Sequence, residues 1–135
     1  RTNAQGVGLA ARAQFLGSDY GDGLSGPFDL IVANPPYIRS ADIPALAPEV
    51  RDHDPHLALD GGLDGLDASR RIAPQAAALL ADGGLLVLEI GQDQGGAVSR
   101  LVTAAGLTVM GSVRADLAGI GRAVVAGRIA LRKPD

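Results

Sequence analysis

Three observations on these 135 residues predict an α/β domain with a mainly parallel sheet. Short, β-branched apolar runs alternate with segments of helical periodicity, which calls for right-handed parallel crossovers. The last two runs are joined by a short link, so the final strand is expected to run back antiparallel to its predecessor. The apolar run at residues 30–33 reads as a strand buried on both faces. It stops at Asn34 because Pro35 and Pro36 remove two N–H donors and cannot continue a central strand. That leaves the Asn34 amide and the carbonyls of Asn34 and Pro35 at a strand's C-terminal end, where open α/β sheets bind ligands.

The elements follow in order. Residues 1–11 read as the end of a helix and its exit turn through Gly6 and Gly8. Residues 13–16 are a short strand candidate, followed by Gly17-Ser18-Asp19-Tyr20 and a glycine-rich loop to Pro27. After the central strand, residues 39–67 form a long connection with Pro44, Pro48, Pro55 and the turn cluster Asp60-Gly61-Gly62-Leu63-Asp64-Gly65. Connections of this length inside a compact domain are usually functional or disordered. Leu46, Val50, Leu57, Leu59 and Leu66 predict that this one packs down. A helix is expected over 67–81, with Asp67 as N-cap and Pro74 kinking it or marking its first turn. Asp82-Gly83-Gly84 then turns into a second buried strand over 85–90. The amphipathic segment 92–105 carries Val98, Leu101, Val102 and Ala105 on one side and stops at Gly106. Residues 107–113 read as a strand, 114–121 as a loop and 122–129 as the last strand.

Composition narrows the chemistry. At 47% hydrophobic but only 3% aromatic, the core has to be built from Ala, Leu, Val and Ile. The chain has no cysteine, so disulfides, thiolate metal sites and cysteine nucleophiles are excluded. Its net charge is −3, with twelve Lys and Arg scattered among fifteen Asp and Glu. Binding to a phosphate backbone needs a clustered basic face, so nucleic acid is not expected as a direct partner. No apolar run approaches bilayer-spanning length and no signal peptide is visible, so a cytoplasmic protein with no membrane association is expected.

The tetrapeptide Asn34-Pro35-Pro36-Tyr37 after an apolar strand resembles the amine-methylating branch of S-adenosylmethionine-dependent methyltransferases; by itself it also fits an Asn-Pro turn with Tyr37 packed over it. The similarity continues through Pro48-Glu49-Val50-Arg51, Pro55-His56-Leu57-Ala58-Leu59, Gly61-Gly62-Leu63-Asp64-Gly65-Leu66 and Leu88-Glu89-Ile90-Gly91. It ends with Asp116-Leu117-Ala118-Gly119-Ile120-Gly121-Arg122. Together these resemble the protein-(glutamine-N5) methyltransferases that modify peptide chain release factors. The resemblance implies a class I, Rossmann-like methyltransferase fold and S-adenosylmethionine as cofactor. Two family features are not found in these residues: a glycine-rich loop after the first strand and an acidic residue ending the second. The N-terminal helical substrate-binding domain is not found either. The expectation is therefore the C-terminal portion of one catalytic domain, spanning residues 1–135, with an incomplete fold that lacks the first two strands.

A glutamine amide nitrogen is a poor nucleophile because its lone pair is delocalised into the carbonyl, whereas a sulfonium methyl is already a strong electrophile. The task is to align the nitrogen and localise its lone pair. Two acceptors facing its two N–H groups can do this: the Asn34 side-chain oxygen and, as the resemblance implies, the Pro35 carbonyl. Asn34 and Pro35 are thus the catalytic candidates, and Asn34, Pro35, Pro36 and Tyr37 the substrate-binding ones, with Tyr37 walling the slot. For Asp19 and Tyr20 the local sequence leaves a turn residue and an edge aromatic open beside a binding role. The resemblance places this pair by the cofactor's adenine, with Asn34 also on the cofactor side.

His53 and His56 fit no closed metal-ligand spacing, and the chemistry needs no metal, so none is expected. Glu89 is expected to be held by an arginine or by backbone donors. Asp116 and Arg122 read as a loop clamp. Gly61, Gly62 and Gly65 read as turn glycines, not as a phosphate loop. The expected function is methylation of a release-factor glutamine, with the release factor as protein partner. The alternatives are a ribosomal-protein glutamine, an adenine-N6 or guanine-N2 nucleic-acid substrate, or a catalytically inert fragment. In the class I order, the strand at 13–16 would be separated from that at 30–33 by the two strands not found here. The latter is then expected to become an exposed apolar edge, and the chain alone not to be a stable, cofactor-binding monomer.

Overall fold

A computed structural model describes residues 1–129. Its framework is a five-stranded sheet in the order β1-β2-β5-β3, with β4 alongside β5. The strands are β1 (Phe28–Ala33), β2 (Leu80–Glu89), β3 (Thr108–Val109), β4 (Arg114–Ala115) and β5 (Gly121–Gly127). The helices are α1 (Thr2–Gly6), α2 (Pro48–Arg51), α3 (His56–Leu59), α4 (Asp67–Leu79) and α5 (Gly95–Ala104), with short 3-10 turns at Ala10–Arg12 and Ser40–Ala45. Strand β1 is parallel to β2 across the α4 crossover, and β5 lies between β2 and β3, antiparallel to both. The parallel crossover and the antiparallel ending match expectation.

The core is aliphatic, as the shortage of aromatics requires. Ile72, Ala73 and Ala76 from α4 and Val98 and Val102 from α5 pack with Leu86, Leu88, Ile90, Val124 and Ala126 from the sheet region, all buried. Filling such positions contributes roughly 1.5–3 kcal/mol per large apolar side chain.

Several expectations need correction. Residues 13–16 form no strand; Phe15 and Leu16 are exposed and no neighbour pairs with them. An apolar run becomes a strand only when another backbone satisfies its N–H and C=O groups, and none among the described residues lies alongside. Strand β1 is not buried on both faces: Ile31 and Ala33 turn towards the core, while Leu30 and Val32 are 56% and 69% exposed. Among the described residues it is an edge strand, paired on one side only.

The turn expected at Asp82-Gly83-Gly84 lies within β2. Between the pairs Phe28↔Leu80 and Leu30↔Leu85, β2 carries extra residues as a bulge that includes Gly83 at φ +82°. Helix α4 starts with Leu66 as N-cap and Asp67 as its first residue, and it continues past Pro74 to Leu79. The strand expected over 107–113 pairs only at Thr108–Val109, and the expected loop contains β4. Both short strands lie against β5, with Val109 opposite Ala126 and Arg114 opposite Ala123. Two surplus residues around Gly111, at φ +78°, bulge out between them. The last strand, expected over 122–129, spans Gly121–Gly127.

The long connection packs down only in part. Ile43 is buried and Leu46, Val50, Leu59 and Leu66 are half-buried, but Leu57 is 88% exposed. No helix among the described residues is long and apolar enough to cross a membrane.

The free edge of β1, with Leu30 and Val32 on its uncovered face, is a template for pairing with another chain. The 135-residue chain is expected to self-associate through it at micromolar concentrations. Val32→Lys, which blunts the edge with a charge, should restore the monomer. Sedimentation velocity of both proteins checks this, and a wild-type monomer at high concentration would contradict it.

Candidate active site at the end of the central strands

Strands β1 and β2 run in parallel register from Leu30↔Leu85 to Ala33↔Leu88. Their ends therefore fall together, and Asn34 and Glu89 are the next residues on each. Pro35 and Pro36 fix two successive φ angles and carry the chain off the sheet. Asn34 is exposed, Pro35 buried, and Pro36 and Tyr37 half-buried.

Asn34 and Pro35 line a cavity of about 340 Å³ whose other walls include Tyr20, Ile31, Ile72 and Leu79. Tyr37 borders a different hollow of about 300 Å³, shared with Arg39, Asp64 and Gln94. The tetrapeptide thus divides: Asn34 and Pro35 face one space and Tyr37 the other. The Tyr37 hydroxyl donates to Glu89 Oε1 at 3.4 Å, a long contact. This corrects the expectation for Glu89, whose hydrogen-bond partner among the described residues is the tyrosine hydroxyl and not an arginine or a backbone donor.

Asp19 and Tyr20 have separate surroundings. The Asp19 carboxylate is ion-paired with Arg71 on α4 and is not among the cavity-lining residues. Tyr20 lines the cavity and holds a left-handed φ of 55°, a conformation uncommon outside glycine. Its ring lies under the Arg71 guanidinium, 5.4 Å from centroid to Cζ. The Gln75 amide fastens this loop to α4: Oε1 accepts from Gly21 N at 2.9 Å, and Nε2 donates to Asp22 Oδ1 at 2.6 Å. Sequence reading missed Arg71 and Gln75, which sit more than fifty residues from the loop they hold and follow no motif.

The turn cluster behind Tyr37 is a tight piece of backbone. Ile38 N donates to the Leu59 carbonyl at 3.1 Å, Gly61 N to the Ile38 carbonyl at 2.7 Å and Ser40 N to the Gly62 carbonyl at 3.0 Å. A Cβ on Gly61 would lie 2.9 Å from Tyr37 Cα, and one on Gly65, at φ +76°, would lie 2.5 Å from Gln94 Nε2. The glycines are turn residues, as expected, and they also allow this loop to close on the tetrapeptide. Arg70 holds the Asp64 carboxylate through both of its terminal nitrogens, and this drives the Asp64 pKa down from 3.8 to about 2.

Asp116 and Arg122 form the expected clamp. The Asp116 carboxylate accepts from Ile120 N at 3.0 Å, Ala118 N at 2.9 Å and Arg122 Nε at 3.3 Å, and the Ile120 bond is the main cause of its lowered pKa. His53 and His56 are both exposed, and His56 Nδ1 lies 3.7 Å from Asp60 Oδ2.

The strand order, the crossover and the cavity at the strand ends define an incomplete class I methyltransferase fold. A solved methyltransferase from Pyrococcus furiosus shares the fold at a TM-score of 0.53 and 15% identity, over 78% of this chain and 43% of that one. Two curated relatives narrow the class. The release factor glutamine methyltransferase of Bradyrhizobium diazoefficiens is 57% identical over 129 residues, covering 96% of this chain and 43% of that protein. Its counterpart in Rhodospirillum rubrum is 50% identical over 126 residues, covering 93% and 38%. The chain is a homologue of the release factor glutamine methyltransferases and spans less than half the length of these relatives. No family model matches it.

A methyltransferase needs a methyl donor, and the cavity fits part of one. Tyr20, Ile31, Ile72 and Leu79 offer an apolar wall for a flat ring, with the polar groups of Asn34 and Pro35 at the strand end. Among the described residues, no carboxylate lines it to hold sugar hydroxyls.

Gly65→Ala should lower stability by more than about 1 kcal/mol, since the site requires a positive φ and leaves no room for a methyl group. Urea unfolding checks this. The depressed pKa of Asp64 sets a sign for acid: its contribution to stability is complete above 3.8 and is lost as the pH falls through about 2. Asp64→Asn should therefore flatten the fall of the urea midpoint between those pH values. An unchanged slope would contradict the pairing.

Proposed function

We propose that this chain supplies the amide-binding half of a protein-glutamine N5-methyltransferase acting on peptide chain release factors, with S-adenosylmethionine as the methyl donor. The observation that supports it is that Asn34 and Pro35, at the end of β1, line one cavity with Tyr20. The names of the relatives support the substrate class. The scattered charge disfavours the nucleic-acid alternatives, whose exocyclic amines would need a phosphate-binding face around them.

In this reading Asn34 Oδ1 accepts one N–H of the substrate amide and the Pro35 carbonyl accepts the other. The two acceptors hold the amide plane so that the nitrogen lone pair points at the incoming methyl group. A sulfonium donor bound beside this pair would supply an electrophilic methyl group to the nitrogen, the S–C bond breaking as the N–C bond forms, and the nitrogen would give up one proton to solvent. Alignment of this kind is worth up to roughly 7–11 kcal/mol in favourable cases. A buried N–H that loses its acceptor costs about 1–3 kcal/mol before misalignment is counted. Tyr20 provides the flat wall for the donor's adenine, and Asp19 acts by orienting Arg71 over that ring. Pro36 and Tyr37, which do not line this cavity, carry the chain from the acceptor pair to the neighbouring hollow and hold it there.

The test is mass spectrometry of release factor incubated with the full-length gene product and the donor. A 14-dalton increase, the mass of a methyl group replacing hydrogen, is expected on one glutamine-containing peptide. In the same protein, Asn34→Ala should cut kcat by about 10-fold or more, with a much smaller change in donor affinity by calorimetry. Near-wild-type turnover in this variant would sink the two-acceptor mechanism. A substrate peptide with Asn in place of Gln should react far more slowly, because its shorter side chain cannot bring the nitrogen to both acceptors.

A further inference from the structure

Between the last paired residue of β1 and the first backbone bond beyond the tetrapeptide, the site has little of its own to hold it. Ala33 is the last residue of β1 in register with β2, and Ile38 N is the next backbone donor in the chain with a backbone partner. Pro35 and Pro36 have no N–H to give, although their φ angles are fixed. The position of the Pro35 carbonyl therefore depends on what anchors Tyr37.

Beside the long contact of its hydroxyl with Glu89, the Tyr37 backbone is held by the Gln94 side chain. Gln94 Nε2 donates to the Tyr37 carbonyl at 2.9 Å and to the Gly65 carbonyl at 3.1 Å, while its Oε1 accepts from Gly91 N at 2.9 Å. A single half-buried amide thus joins three backbone segments: the exit of the tetrapeptide, the glycine turn and the end of β2. The partners fix its orientation, since the nitrogen faces two carbonyls and the oxygen faces an N–H. Gln94 is also the N-cap of α5, yet its side chain makes no cap bond, so its polar groups serve the loop and not the helix.

We infer that Gln94 is a positioning residue of the transfer reaction: it sets the Asn34-Pro35 acceptor pair by tying Tyr37 to the end of β2. This rests on the amide-binding role proposed above. Gln94→Glu keeps the shape but turns a carboxylate oxygen towards two carbonyls. Gln94→Met keeps the volume and removes all three bonds.

The experiment uses the full-length protein and both variants. It measures kcat and KM for release factor, donor affinity by calorimetry, thermal unfolding, and amide hydrogen exchange at Ile38. In both variants kcat should fall roughly 100-fold, the scale of a displacement of about 1 Å at a reacting centre. KM and donor affinity should stay within about threefold, and Ile38 should exchange about tenfold faster through local opening. A folded Gln94→Met protein with wild-type kcat and wild-type Ile38 exchange overturns the inference. So does failure of both variants to fold, which would make Gln94 a folding residue only. If the wild-type protein methylates no glutamine, the functional reading fails by itself; Ile38 exchange then still decides whether Gln94 positions the loop.

Discussion

Two prolines in succession can leave a parallel sheet only where a strand ends, and β1 ends at its last register pair with β2, Ala33↔Leu88. The rest of the site depends on that constraint. Because the pairing is parallel, both strands finish at the same edge, and Asn34, Glu89 and the segments after them share one place. The prolines convert an ordinary strand exit into a turn with few free torsions. The carbonyl of Pro35 then has a definite position once its two flanks are held, by β2 on one side and by the Tyr37 anchor on the other.

Two glutamines outside any recognised motif do comparable work on either side of this turn. Gln75 holds the loop bearing Tyr20 against α4, and Gln94 holds Tyr37 against β2 and the glycine turn. Each uses an uncharged amide to satisfy backbone groups that no strand or helix pairs. An amide can donate and accept at once, so it joins segments of opposite polarity without burying a charge. The ion pairs lie further out: Arg70 with Asp64, Arg71 with Asp19 and Arg122 with Asp116 are exposed or half-exposed. Exposed pairs of this kind contribute little to stability individually and mainly order the loops.

Much of this was legible in the residues. The strands at 30–33 and 85–90, the helix from Asp67, the antiparallel ending and the tetrapeptide all rest on local pattern, and that pattern survived folding with longer strands, Phe28–Ala33 and Leu80–Glu89. The errors lie where a neighbour decides. Residues 13–16 have the composition of a strand and no partner. Leu30 and Val32 have the composition of a buried strand, yet nothing among the described residues covers their face. Residues 107–113 give two short paired pieces because Gly111 allows a bulge. Leu57 and Leu63, at 88% and 91% exposed, show that apolar residues in a long loop do not report packing. Glu89, Arg71 and Gln94 were misassigned or unnoticed for the same reason: their partners lie far away in sequence, and a polar side chain does not announce its direction.

The central claim is that two oxygens, Oδ1 of Asn34 and the carbonyl of Pro35, receive the two N–H groups of a glutamine side chain. The most direct measurement is a crystal structure of the full-length protein with the demethylated donor and a glutamine-containing release-factor peptide. The account predicts that the glutamine nitrogen lies within about 3.2 Å of both oxygens, with its amide plane edge-on to them. A glutamine bound in the cavity with its nitrogen on other partners, and Asn34 turned away, would contradict it.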